Sequence, residues 1–130
     1  MNKILVEVSV GELLDKISIL EIKKEKIKDP KKLRFVNEEY NILKEQLNQN
    51  VKSDDKLISL FKSLKEINEK LWFIEDDKRL CEKDSNFGEK FVKLSRDVHF
   101  LNDDRAKIKL EINSHSGSKI REIKEYTKYN

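Results

Sequence analysis

The sequence predicts an all-α protein in which antiparallel helical hairpins form an elongated bundle, with one short N-terminal strand. Three observations carry this expectation. Apolar residues recur at spacings of three and four through most of the chain. Charged residues make up 41% of the 130 positions, while three glycines and one proline punctuate them, a balance that suits long helices better than a turn-rich β protein. Helix-start signals also stand at the few breaks in the pattern. The length is that of a single domain, 1–130, divided into a strand over 1–8, a first helical hairpin over 9–49, a long second hairpin over 55–113 and a tail over 114–130.

The opening "KILVEVSV" alternates Ile4, Val6 and Val8 on one side, the pattern of a strand that needs a partner, either the tail or a second copy. Ser9 then stands three residues before Glu12 as a capping box, with Val8 and Leu13 as a hydrophobic staple. The first helix carries Leu13, Ile17, Leu20 and Ile27 on one face, and Ile19 and Ile22 on nearly the opposite one. "KDPKK" ends it and supplies Asp29 and Pro30 as cap and first residue of a second helix, striped by Leu33, Val36, Tyr40, Leu43 and Leu47. Polar "NQNVKSDD" links to a third helix capped by Asp54 or Asp55, whose stripe runs from Leu57 to Cys81. Asn86 with Glu89 offers a fresh cap, and the fourth helix carries Phe87, Phe91, Leu94, Val98, Leu101, Arg105, Ile108 and Ile112 until "NSHSG" stops it. Spacings sustained this long predict shallow, coiled-coil-like packing of the last two helices.

Composition narrows the function classes. Twenty-eight basic residues are nearly matched by 25 acidic ones and interspersed with them, so no basic stripe favours nucleic acid. The single Cys81 suits a reducing compartment, and no apolar run is long enough to cross a bilayer, so the expected location is cytoplasmic. Two histidines and no Glu-x-x-His leave no recognisable metal set, and there is no glycine-rich phosphate loop. Neither a cofactor nor a catalytic residue is indicated: Cys81 has no histidine near it in the expected register, and Ser18 has no recognisable base.

The candidate site is a polar interruption of the last stripe. Arg105 falls in phase with apolar residues, where burying an unpaired charge would be prohibitive. If the long hairpin turns near Ser85, Arg105 lies level with Asn68, and Asn102 near Glu69. Asn68, Trp72 and Glu75 flank the third helix's stripe, and Glu21 holds the equivalent edge of the first, so Glu21, Glu75 and Asn68 are the expected partners. Two readings stay open. The residues form a polar layer that sets helix register, or Arg105 with Lys16 or Lys24 binds a small anion between helices.

The segments "EVSVGELLDKISILEIKKEKIKDPKKL", "LWFIEDDKRLCE" and "NDDRAKIKLEIN…SGS" resemble a bacterial family catalogued as domain of unknown function 6165, over nearly the whole chain. The resemblance implies a small, largely helical, stand-alone protein without an assigned activity. On its pattern the residues to carry over are Gly11, Glu12, Asp15, Lys16, Glu21, Trp72, Glu75, Asp76, Asn102 and Arg105. Joined to the seam, this makes Asp15, Lys16, Glu21, Asn68, Trp72, Glu75, Asn102 and Arg105 the candidate ligand-binding set.

Apolar strips beyond the main seams, Ile19 with Ile22, Phe35 with Ile42 and Phe73 with Leu80, predict a homo-oligomer, most simply a dimer, with a protein partner also possible. The functional expectation is therefore a structural, assembly or adaptor protein. The alternative is a small anion-binding protein or all-helical enzyme built on the polar seam.

Overall fold

The computed structural model describes residues 2–118, 123–125 and 127–128. Its elements are α1 (Val10–Lys26), α2 (Pro30–Asn50), α3 (Asp55–Lys83) and α4 (Glu89–Ser116). No strand occurs among the described residues, and no helix is long and apolar enough to cross a membrane.

Three of the four starts follow the cap chemistry. Ser9 Oγ accepts the Glu12 N–H at 3.0 Å, and Asp29 accepts that of Lys31 at 3.0 Å with Pro30 opening α2. Asp54 accepts the Leu57 N–H at 2.8 Å. At α4 the expected Asn86 cap is replaced by Gly88, which offers no side chain, so Phe87, expected on the helix's stripe, stands exposed in the turn before it; Asn86 Oδ1 instead accepts the Gly88 N–H at 3.3 Å within the turn. α4 also runs three residues past Asn113, to Ser116, because Gly117 takes the left-handed conformation (φ 68°) that ends a helix without a Cβ penalty.

The expected N-terminal strand over 1–8 is a correction. Residues 2–8 are irregular and exposed, with Ile4, Leu5 and Val6 outside the core. A strand is held by bonds to a neighbouring strand, and the described residues supply no edge for it to pair with.

α1 is the centre of the bundle: it packs on α2, α3 and α4, whereas the backbone of α2 comes close only to α1. This explains why α1 is apolar on more than one face. Ile17, Leu20 and Ile22 are all buried, so the Ile19–Ile22 strip is largely consumed inside the fold. The α3/α4 hairpin turns at 84–88 and is antiparallel, with Asp54 beside His115 at one end and Lys78 over Phe91 towards the other. Leu14, Leu57, Leu64 and Ile112 form the core cluster, with Leu47, Phe61 and Ile108 packed around it. α2 buries no residue fully; its stripe is half-buried against the rest.

Candidate functional site

The centre of the molecule is polar, and small residues make it possible. On α1, Gly11, Asp15, Ser18 and Ile22 recur at spacings of four, three and four and so form one ridge. On α4, Arg105, Lys109 and Asn113 form another. The ridges meet most closely at Gly11, where a Cβ would stand 2.6 Å from the Lys109 carbonyl oxygen and 2.9 Å from Asn113 Oδ1. The Gly11 N–H donates to Asn113 Oδ1 at 2.7 Å, and the Val10 N–H to Ser118 Oγ at 3.4 Å. Ser9 takes the next two N–H groups, through its hydroxyl and its carbonyl. The open donors of a helix start are thus satisfied by the chain itself.

One turn further on, Asp15 is the hub, only 1% exposed. Arg105 forks onto it, with Nε donating to Oδ1 at 3.0 Å and Nη2 to Oδ2. Asn68 Nδ2 donates to Asp15 Oδ1 and to Ser18 Oγ, both at 2.8 Å, and the Ser18 hydroxyl donates to the Asp15 carbonyl at 2.7 Å. Lys109 Nζ lies 3.7 Å from Asp15 Oδ2 and donates to Glu12 Oε2 at 2.7 Å. Asn102 Oδ1 accepts from Arg105 Nη1 at 3.4 Å. Burial by itself would push the Asp15 carboxyl up, but the hydrogen bonds from Arg105 and Asn68, with the charges of Arg105 and Lys109, outweigh it and hold it below the usual carboxylate value.

The candidate set divides around this hub. Asp15, Asn68, Asn102 and Arg105 come together in it. The carboxylate facing Arg105 is Asp15, where the register argument pointed to Glu21 or Glu75. Glu21 accepts instead from Lys65 at 3.1 Å and from Tyr40 at 3.4 Å, tying α1 to α3 and α2. For Lys65, burial works against the charge, but its bonds to Glu25 and Glu21 prevail and raise its pKa. Glu75 shares Asn68's side of α3 two turns on, yet lies exposed, past the level where α1 ends. Lys16 is exposed and Trp72 half-buried.

Sequence reasoning missed Lys109, Asn113 and Ser18. A signal for the first two existed: counting in fours from Arg105 lands on Lys109 and then Asn113, a polar row on a helix whose neighbouring rows are apolar. For Ser18 the clue was its place three residues after Asp15, legible only once α1 is known to be covered on several sides.

A second polar contact joins the hairpin ends, where His115 Nε2 lies 2.7 Å from Asp54 Oδ2. The Asp54 carboxyl is lowered first by the Leu57 N–H it accepts and then by His115. Among the described residues no buried side-chain nitrogen or oxygen lacks a hydrogen-bond partner, and no group of three or more His, Cys, Asp or Glu is placed to hold a metal. Chemically, the Asp15 cluster is a clamp: its acceptors are taken by donors from α3 and α4, which fixes α1 against both.

No curated protein and no solved structure matches the chain. A family model does, over residues 4–129, and by that match the chain belongs to the family of unknown function DUF6165.

Proposed function

We propose that the protein is a structural or adaptor component that acts as an oligomer, presenting helical surfaces to a second copy or to another protein. One contrast supports this reading: the polar groups at the centre are engaged with each other, while large apolar side chains stand outside, Phe35 and Ile42 on α2 and Phe73 and Leu80 on α3. Such leftover apolar surface on a small helical protein marks a contact site more often than a catalytic one. A cytoplasmic setting agrees with a single buried cysteine kept as a thiol.

The competing reading, an anion held near Arg105, draws on the 27% exposure of that side chain. Its guanidinium fork is already filled by Asp15, so an added anion would have to displace a buried carboxylate. The test pairs light scattering at roughly 50 μM, a concentration at which a micromolar complex is populated, with thermal shift against phosphate, citrate and nucleoside phosphates. The expected result is a mass above the 15.5 kDa chain and no anion-dependent rise in Tm. A chain-sized mass together with an anion response that disappears in Arg105→Leu would replace this reading with the other.

A further inference from the structure

α2 approaches α1 alone, which leaves a cleft between the last two turns of α2 and the start of α3. Leu14 and Ile17 of α1 form its floor, Leu47 and Val51 one wall, and Leu57 and Phe61 of α3 the other. All six are buried or half-buried, and the space they enclose measures about 160 Å³. An apolar cavity of about 150 Å³ holds a benzene-sized guest, so the volume suits a body of roughly six carbons. The cleft also carries a single charge. In a chain with 41% charged residues, Lys44 is the one ionisable group on the lining, beside neutral Asn48 and Ser53. Lys44 is half-buried and makes no ion pair among the described residues. Lys65 and Lys109, by contrast, each meet a carboxylate, at 3.1 and 2.7 Å. The positions one turn from Lys44 on α2 hold Tyr40, Asn41, Leu47 and Asn48, none of them an acid.

We infer that this cleft binds a small amphipathic monoanion, an aromatic or short-chain carboxylate whose apolar body fills the space between α2 and α3 while its carboxylate meets the Lys44 ammonium. The site uses no residue of the Asp15 cluster and does not depend on the oligomer reading. Size and charge select the class together. A long lipid chain would leave most of its length in water, because the cleft has room for a short body only. A sugar or nucleotide would bury hydroxyls or phosphates against six apolar side chains with few groups to meet them. A carboxylate without a body gains no more than an ion pair near the surface, which is worth little by itself. An uncharged body of the same size fills the cleft but leaves the Lys44 ammonium without a counterion.

The experiment titrates the isotope-labelled full chain with benzoate and with hexanoate, and follows the backbone amides by NMR. Benzyl alcohol serves as the uncharged analogue and acetate as the head without a body. The expected result is a saturable shift centred on Leu47, Val51, Ser53 and Phe61, with a dissociation constant on the order of 1 mM for the tighter of the two carboxylates. Which of them is tighter tells a ring from a chain, and acetate is expected not to saturate. Lys44→Met keeps the apolar stem and removes the charge. It is expected to weaken the carboxylate about fivefold, the upper end for a partly exposed pair, and to leave benzyl alcohol within about twofold. Lys44→Glu is expected to reverse the preference, from benzoate to benzylammonium. A melting curve verifies the fold of each variant. No saturation by either carboxylate below about 20 mM, or shifts centred on Arg105, overturns the site. Carboxylate affinity unchanged in Lys44→Met, or an equal loss for benzyl alcohol, overturns the role of Lys44 and with it the anionic class of ligand.

Discussion

Replacing Arg105 by alanine tests the central clamp most directly. The variant leaves Asp15, only 1% exposed, without its forked partner but still within 2.8 Å of Asn68 and 3.7 Å of Lys109. Breaking a fully buried ion pair from one side costs about 3–5 kcal/mol. The lower end applies here, because two donors remain and the Arg105 head reaches solvent, so the expected loss is about 3 kcal/mol, or roughly 10 °C in Tm for a chain of this size. The pH dependence carries the sharper signature. In the wild type the folded Asp15 pKa lies below the usual aspartate value, so its contribution is present above that value and is lost as pH falls through it towards the folded pKa. Without Arg105 the desolvation that raises this pKa meets less opposition, and the folded carboxyl takes up its proton at higher pH. The stability gap between variant and wild type should therefore be widest near neutrality and narrow as the pH is lowered through about 4. Urea titrations at a series of pH values measure this. A gap of constant size from pH 7 to pH 3 would refute the assignment of Asp15 as the stranded group, and a loss below about 1 kcal/mol would refute the clamp itself.

Two further outcomes follow from backbone geometry. Gly11→Ala places a methyl 2.6 Å from the Lys109 carbonyl oxygen, a backbone atom that cannot swing away, so α1 must shift off α4. A loss of about 1–3 kcal/mol is expected in chemical denaturation, and a neutral result would show that the helices separate freely at that crossing. Ser85→Gly acts in the opposite direction. Ser85 sits at φ 53° just after α3, in a turn closed by the Asn86 N–H to the Cys81 carbonyl at 2.8 Å, and glycine relieves that strain. An increase in stability of about 0.5–1 kcal/mol is expected from the melting curve; a decrease would mean that the serine side chain supports the turn.

The helices were legible because their causes are local. Ser9, Asp29 with Pro30, and Asp54 announce the starts of α1, α2 and α3 through groups within three residues of each start, and the apolar spacing needs no knowledge of the rest of the chain. The antiparallel pairing of α3 with α4 was legible too, since a turn near Ser85 folds two long stripes onto each other; that register set Arg105 level with Asn68, and the two side chains meet the same Asp15 carboxylate.

The carboxylate that meets Arg105 was decided by the tertiary structure. Glu21, Glu75 and Asp15 are indistinguishable as acids on helix edges; what selects Asp15 is the close approach of α1 to α4 at Gly11, a contact between residues about a hundred positions apart that no local pattern encodes. The same packing buries Ile22 while leaving Phe35 and Leu80 outside, although all three read alike as apolar residues off the main stripes. The strand over 1–8 failed for the related reason that strand formation depends on a partner elsewhere in space. Sequence by itself determined where this chain is helical and which faces are apolar. The fold alone decided that α1 occupies the centre, because burial and ion pairing are relations between elements rather than properties of any one of them.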